Sequence, residues 1–234
     1  LIGTYGGDTF KKTIDNKSIA VLPFDNYSTA EEDQYFSDGM TEVIIANLAK
    51  VKDLKVISRT SVMEYKNTTK KLKEIAKELG VAHILEGSIQ RANGRVRVVG
   101  QLIDADTDEH IWAETYDKKE SDIFELQSDV AIEIANALKT ELTEDVKSRI
   151  SEKLTESTIA YEYYLKGNMH ENAGHSKGNL LLAISEYERA VAIDPEFAEA
   201  HAQLGKMHAH IKWYRHDLSQ RRMDMCKAAI DRAM

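Results

Sequence analysis

The sequence predicts an α+β domain, with a mixed five-stranded sheet and packed helices, followed by an all-α region. Two observations support this division. β-branched residues and glycines concentrate before residue 120, whereas helix-forming residues dominate after it. Within the first part, short apolar runs typical of strands alternate with apolar residues at helical spacing. The predicted bounds are 1–17 for a terminal segment, 18–150 for the α+β domain and 151–234 for the helices.

The composition restricts the class of protein. The 42% apolar and 30% charged residues among 234 fit a globular chain of one large or two modest domains. The net charge of −8 repels phosphate backbones, so no nucleic-acid partner is expected. No run of about 18 uncharged apolar residues exists, so direct membrane insertion of this segment is not expected. Residues 1–7 are apolar and glycine-rich but short, which favours a floppy terminus over a juxtamembrane stub.

The first predicted strand covers residues 18–24, a nearly continuous apolar run as in a strand buried on both faces. Pro23 lacks an N–H, which places it at the strand end or a bulge. A helix follows over residues 34–50, with apolar residues every fourth position. Gly39 costs this helix about 1 kcal/mol against alanine. Close approach of another backbone explains the glycine better than a ligand phosphate does.

Next come a short strand over 54–57 and a helix over about 70–79, which Gly80 ends. Asn93 and Gly94 then predict a two-residue type I′ turn. That turn sets a hairpin register that places one apolar set on one face. The predicted pairs are Leu85 with Leu102, Gly87 with Gly100, Ile89 with Val98, and Ala92 with Arg95. The glycine pair would leave a hollow into which a helix could press.

The last elements of this part are a strand over 110–117 and a helix over about 122–142. Thr143 is suited to cap a short further helix. The predicted order is therefore β, α, β, α, β, β, β, followed by helices.

Several sequence blocks carry a resemblance. They are Ser18-Ile-Ala-Val-Leu-Pro-Phe24, Tyr35-Phe-Ser-Asp-Gly-Met-Thr-Glu42, Val56-Ile-Ser-Arg-Thr-Ser61, Glu78-Leu-Gly-Val81, Ile84-Leu-Glu-Gly-Ser88, Gln101-Leu-Ile-Asp104, Trp112-Ala-Glu-Thr-Tyr116 and Asp122-Ile-Phe124. Their order resembles the TolB amino-terminal-like domain found beside tetratricopeptide repeats in bacterial signalling proteins. The resemblance covers residues 17–150.

In that family the domain typically follows a nucleotidyl cyclase or winged-helix DNA-binding domain and a membrane segment. The resemblance therefore implies the extracytoplasmic, periplasmic portion of a membrane-anchored protein. The residues themselves leave the compartment open.

The second part shows tetratricopeptide spacing. Ala183, Tyr187, Ala190 and Pro195 match the small, aromatic, small and proline positions of a repeat's second helix. Gly167 suits the first helix, but its interval to Ala183 is about four residues too long, which indicates an insertion at 175–178.

A second repeat begins near Ala198 and carries Leu204 and Gly205. Its second helix contains Cys226, Ile230 and Ala233 after a longer insertion at 215–220. Two repeats rarely bury a continuous face. We therefore expect either that the chain is a fragment, or that its helices dock on the α+β domain or on a second copy.

No residue pattern in the sequence indicates a catalytic, cofactor-binding or metal-binding site. Asp104, Asp106 and Asp108 imitate a calcium loop, but Glu109 stands at its glycine position and Thr115 at its bidentate position. An acidic turn is the better interpretation. His201 and His208 lie about 10 Å apart on one helix face, too far for one metal. With His210 and His216 they are expected to be exposed or at the edge of the core.

Three further features are expected to have structural roles. Cys226 is expected to be a buried structural thiol. Arg91, Arg95 and Arg97 are expected to form a basic rim on an exposed strand face. Tyr161, Tyr163 and Tyr164 are expected in the core or a repeat interface.

The sequence thus predicts a non-catalytic protein-interaction or signal-sensing module of a bacterial signalling protein. Its partner would be a protein or peptide, and a second copy of the chain is a further candidate. The predicted partner-binding residues are Glu199, Ala202 and Lys206, because first-helix residues form the concave face of such repeats. The alternatives are the regulatory portion of a nucleotidyl cyclase whose catalytic domain lies upstream, or a small-molecule sensor.

Overall fold

The structure is a computed structural model that describes residues 14–28 and 33–234. The predicted terminal stretch 1–7 lies outside the described residues, and of the segment 1–17 only residues 14–17 are placed. The bounds of the two predicted domains stay predictions. No helix among the described residues has the length and apolar content that crossing a membrane requires.

The first part contains six strands, five α-helices and a 3₁₀ helix (Glu120–Asp122) among the described residues. Its strands are β1 (Ser18–Val21), β2 (Asp25–Asn26), β3 (Lys55–Val56), β4 (His83–Ala92), β5 (Arg95–Asp104) and β6 (Glu109–Lys119). Its helices are α1 (Gln34–Ala49), α2 (Arg59–Met63), α3 (Leu72–Leu79), α4 (Ile123–Ala137) and α5 (Glu144–Ile150). The second part contains α6 (Thr158–Asn172), α7 (Lys177–Ile193), α8 (Ala198–Trp213) and α9 (Gln220–Ala233).

The strands form one mixed sheet in the order β3-β1-β4-β5-β6, with β2 paired to β4. β1 runs parallel to β3 and β4, whereas β4, β5 and β6 are antiparallel neighbours. The predicted fold class is confirmed. The sixth strand, β2, arises because Pro23 ends β1 and the chain then rejoins β4 for two residues.

The predicted hairpin register is confirmed at each of its pairs. Asn93 and Gly94 have φ of +53° and +70°, as a type I′ turn requires. The hollow expected at the glycine pair is filled, however. A Cβ on Gly87 would lie 3.2 Å from the Phe24 ring, and one on Gly100 would lie 3.0 Å from the Trp112 ring. The chain's own aromatic rings therefore occupy this face, so it offers no hollow to a partner helix.

Three helix ends illustrate how local geometry sets the bounds of the helices. Gly80 ends α3 with φ of +66°, as predicted. The prediction that α4 reaches residue 142 is wrong, because the helix stops at Ala137. Lys139 adopts φ of +52°, and the Thr140 hydroxyl donates to the Ala135 carbonyl at 2.7 Å, which closes the helix end. Thr143 caps α5 as predicted, accepting from the Val146 N–H at 3.3 Å.

The helices pack on the sheet and on each other through one continuous core. α1 and α4 cover the sheet face that carries Leu85 and Val98, both fully buried. α6 and α7 form one helix pair and α8 and α9 a second, and α6 also packs against α1. The rings of Phe124 in α4 and Tyr161 in α6 lie 5.0 Å apart. The helices therefore dock on the α+β domain, one of the arrangements that the low repeat number suggested.

Candidate functional site

α1 and α6 approach closely at Gly39. A Cβ on Gly39 would lie 2.6 Å from Cδ2 of Leu165, whose side chain is buried. The expectation of a close approach is confirmed, although the approaching atoms belong to a side chain and not to a backbone. We call this contact, together with the polar cluster described next, the junction.

Arg91, near the end of β4, is the centre of the polar part of the junction. Its Nε donates to Glu120 at 2.8 Å, and its Nη1 donates to the Tyr35 hydroxyl at 2.9 Å. The guanidinium also lies 5.2 Å from the centre of the Phe36 ring. The predicted basic rim is therefore wrong for Arg91, which pairs with Val96 and so points to the helix-covered face. Arg95 and Arg97 do lie on the exposed face, where both bind Asp117.

Tyr35 and Glu162 connect α1 to α6 within this cluster. The Tyr35 hydroxyl donates to Glu162 Oε1 at 2.5 Å. Burial and this hydrogen bond raise the pKa of Tyr35. Burial would raise the pKa of Glu162, but the hydrogen bond from Tyr35 and the charge of Arg91 outweigh it and lower that pKa. The cluster therefore holds a carboxylate that stays ionised in a half-buried place.

The predicted partner-binding residues lie together on one exposed stripe of α8. Glu199, Ala202 and Lys206 are all exposed, with spacings of three and four residues. The Nζ of Lys206 forms an ion pair with Glu171 of α6 at 2.5 Å. We call these three residues the α8 stripe. The structure shows its exposure; its binding role stays a prediction.

The charge of Lys206 in the α8 stripe acts on Glu42 of α1. Burial raises the pKa of Glu42 in α1, the charges of Arg59 and Lys206 lower it, and that of Glu171 raises it. Lys206 thus shares one electrostatic environment with α1 and α6. A cleft of about 230 Å³ runs between α1, α2 and α6, with Glu42 and Arg59 in its wall.

Two histidines of α8 are more buried than predicted. His201 and His208 are each 2% exposed. The Nε2 of His201 donates to the Pro195 carbonyl at 2.9 Å, which joins α8 to the preceding turn. The Nη1 of Arg222 lies 2.9 Å from Nδ1 of His208. Because an arginine side chain can only donate, Nδ1 of His208 is the acceptor of this hydrogen bond. Burial and the charge of Arg222 lower the pKa of His208 to about 4.

The predicted structural thiol of Cys226 is confirmed as buried, and its Sγ donates to the Gly205 carbonyl at 3.2 Å. The predicted core position of Tyr161 and Tyr164 is also confirmed, and Tyr163 is partly buried. Tyr161 accepts from Gln127 of α4 at 2.9 Å, so it belongs to the contact with the α+β domain.

The two insertions that break the repeat pattern meet each other, which the sequence did not indicate. His175 precedes α7, and its ring stacks on Tyr214 with centroids 5.0 Å apart. The Nε2 of His216 donates to the His175 carbonyl at 3.2 Å. Over the described ranges, no group of three His, Cys, Asp or Glu side chains is placed to hold a metal ion.

The acidic turn at Asp104 is confirmed, because its Oδ1 accepts from the N–H groups of Asp106 and Thr107 at 2.9 and 3.0 Å. The carboxylate thus serves the turn itself. A broad groove of about 1060 Å³ lies between the 65–73 segment and the exposed face of β4 and β5. Burial raises the pKa of Glu86 on the groove floor.

Together these features define an α+β domain on which tetratricopeptide-type helix pairs are packed. The chain belongs to the family described as HilA/YgeH-like transcriptional regulator, second domain, which matches residues 15–137. A TPR repeat family matches residues 172–210. The predicted combination of a TolB-like domain with tetratricopeptide repeats, as in cyclase-associated or regulator proteins, is thereby confirmed.

A relative from Rhizobium meliloti (strain 1021), named putative adenylate cyclase 3, is 42% identical over 190 residues. The match covers 80% of this chain and 32% of that protein, so the chain spans about a third of its relative's length.

Two solved structures are similar at a low level. TolB from Acinetobacter baumannii is 19% identical with a TM-score of 0.39, over 52% of this chain and 28% of that chain. Lipoprotein GNA1162 from Neisseria meningitidis is 19% identical with a TM-score of 0.40, over 51% of this chain and 97% of that chain. Similarities this low do not bear on function.

Proposed function

We propose that this segment is a non-catalytic protein-interaction module of a bacterial signalling protein, with the α8 stripe as its partner-binding site. One observation carries the proposal. The α8 stripe stays exposed on a helix whose opposite face, with Leu204, Met207 and Ile211, is buried. Tetratricopeptide helices generally present such faces to peptides or proteins.

The chemistry of the stripe suits a helical or extended peptide with charges of both signs. Glu199 and Lys206 carry opposite charges two turns apart, and Ala202 between them leaves room for a partner side chain. The Lys206–Glu171 ion pair holds the lysine in place before a partner arrives. α8 packs on α7, α7 pairs with α6, and the junction fixes α6 on α1.

The parent polypeptide offers a second, related role. The relative named putative adenylate cyclase 3 supports the interpretation of this segment as the regulatory portion of a nucleotidyl cyclase. The resemblance to the TolB-like family supports an extracytoplasmic, signal-sensing position for it. In that role the segment itself would form no cyclic nucleotide from ATP and a divalent metal, and measurable turnover by the purified segment would overturn the non-catalytic assignment.

Site-specific photo-crosslinking tests the partner site. A photoreactive residue replaces Ala202 in one variant and Leu182, which is 49% exposed on α7, in the control. We expect a discrete adduct in bacteria from position 202 only. Lys206→Glu should then weaken binding of the purified partner about tenfold, equivalent to about 1.4 kcal/mol. Equal adducts at both positions, or binding that Lys206→Glu leaves unchanged, would remove α8 as the site.

A further inference from the structure

β6 is a long strand at the edge of the sheet. Among the described residues it pairs with β5 alone, and each of its eleven residues is exposed or half-buried. Such an edge presents a row of backbone groups that can pair with another strand. β6 has no proline, and its one irregularity is a bulge at Ile111, where Leu102 pairs with Trp112 and Ile103 with His110. Residues 112–119 therefore form a regular edge of about 27 Å.

The hairpin register determines which backbone groups of β6 face outward. The two-residue turn makes Ala92 and Arg95 a hydrogen-bonded pair. The backbone N–H and C=O groups of odd-numbered β5 residues therefore point to β4, and those of even-numbered β5 residues point to β6. Val98 pairs with Tyr116, so the backbone N–H and C=O groups of even-numbered β6 residues point back to β5. The backbone N–H of Glu120, another even-numbered residue, likewise points to this side and donates to the Gly94 carbonyl at 3.0 Å. The N–H and C=O groups of Ala113, Thr115 and Asp117 thus point away from the sheet, and among them the Asp117 C=O accepts from Nη2 of Arg95 at 3.0 Å.

The charges along this edge are self-complementary in one register. Two copies of β6 related by a two-fold axis pair antiparallel. The axis must pass midway between one residue and the same residue of the other copy, because only then do directly opposite side chains lie on the same sheet face. An axis at Glu114 or Asp117 would place like carboxylates opposite each other. An axis at Tyr116 places Glu114 opposite Lys118 twice and Tyr116 opposite Tyr116. No like charges then face each other.

Glu114 fits this arrangement. It is exposed, and no lysine or arginine of the described chain forms an ion pair with it. Lys118 is already held by Asp129 at 2.7 Å and by Glu125 at 3.2 Å, so its ammonium group is positioned on the face where Glu114 of a second copy would lie. Thr115 would exchange backbone hydrogen bonds with Asp117 of the other copy, whose C=O would use the lone pair that Arg95 leaves open.

We infer that β6 is a self-association edge, through which two copies of this chain form an antiparallel strand pair centred on Tyr116. This goes beyond the proposed function, because β6 and the α8 stripe are separate surfaces. An edge of seven paired residues buries little area, so the dimer should be weak, with a dissociation constant on the order of 10–100 μM.

Sedimentation velocity over about 5–500 μM tests the association. We expect a concentration-dependent dimer. Thr115→Pro removes an outward N–H while sparing the β5 ladder, and should leave the chain monomeric with an unchanged circular dichroism spectrum. Glu114→Lys should weaken the dimer at least tenfold. Glu109→Lys, the same charge change before the bulge, is the control and should have no effect. A chain that is monomeric throughout, or a dimer that Thr115→Pro and Glu114→Lys leave intact, overturns the inference.

Disulfide trapping tests the register. Directly opposite residues in a non-hydrogen-bonded pair have Cα atoms about 4.5 Å apart, which suits a disulfide. Tyr116→Cys should therefore form a covalent dimer on mild oxidation, while Thr115→Cys should not. The native Cys226 is buried and is not expected to interfere. Crosslinking at position 115 instead of 116 would contradict this register.

Discussion

Gly39 in α1 and Leu165 in α6 pack so closely that a Cβ at position 39 would lie 2.6 Å from Leu165 Cδ2. The contact joins the α+β domain to the first helix of the repeat region. It also accounts for a glycine inside a helix, where the residue otherwise costs stability.

Gly39→Ala should therefore destabilise the protein. The gain in helix propensity of about 1 kcal/mol is outweighed by overpacking against a buried side chain, for a net loss of about 1–2 kcal/mol. Chemical denaturation measures the change in midpoint. Gly178→Ala is the matched control, because position 178 is an exposed helical glycine with only Ser176 Oγ nearby, at 3.9 Å. It should stabilise by about 0.5–1 kcal/mol. Two shifts of the same sign would contradict the packing argument.

Arg91→Ala should loosen the junction. The loss leaves Glu120 and Glu162 without their shared cation, so we expect a cost of about 1–3 kcal/mol. Hydrogen exchange should rise in the first turns of α6 as well as at the end of β4. Arg97→Ala removes an arginine that is 55% exposed and should cost less than about 0.5 kcal/mol. Faster exchange confined to β4 would argue against a role for Arg91 in holding α6.

The α8–α9 pair should lose stability in mild acid. The folded pKa of His208 is about 4 against an ordinary 6.5, so the unfolded chain binds the proton first. Stability is then complete above about pH 6.5 and falls as the pH drops towards 4, by on the order of 2 kcal/mol. Unfolding midpoints at successive pH values measure this slope. His208→Asn keeps an acceptor for Arg222 and should flatten the slope between pH 6.5 and 4.5. An unchanged slope would assign it to other groups.

Acid should also weaken the junction through Glu162, at lower pH. Its folded pKa lies below the ordinary value of 4.5, so its stabilisation is present above that value and is lost as the pH falls through the folded pKa. Glu162→Gln should remove this loss and lower stability at neutral pH. Unfolding of the Glu162→Gln variant and of the wild type, compared at successive pH values below 4.5, decides the point. Parallel curves would contradict it.

Local chemistry explains which elements the sequence predicted well. The register of β4 and β5 followed from two turn residues and from side-chain alternation, both of which lie within about 20 residues. The buried face of α8 was also readable, since His201 and His208 recur with Leu204 and Ile211 at helical spacing. The expectation that these histidines were exposed or at the edge of the core ignored that pattern.

No sequence pattern predicted the junction. Tyr35 and Glu162 lie 127 positions apart, and Arg91 reaches both from a third element. No periodicity links such residues, and Arg91 was grouped with its neighbours Arg95 and Arg97. The end of α4 was missed for a related reason, because a lysine rather than a glycine adopts the positive φ there.

The central claim is that the helices and the α+β domain form one rigid unit, and the two tryptophans test it most directly. Trp112 lies in β6, and Trp213 lies at the end of α8 with 80% of its surface exposed. Trp213→Phe leaves fluorescence from the sheet alone, and Trp112→Phe leaves fluorescence from the helices alone. Both variants are unfolded in urea and followed by fluorescence and by circular dichroism. In each variant the fluorescence midpoint should coincide with the circular dichroism midpoint. A Trp213 signal that changes at clearly lower urea than the Trp112 signal would show that the helices unfold independently, and would contradict the account.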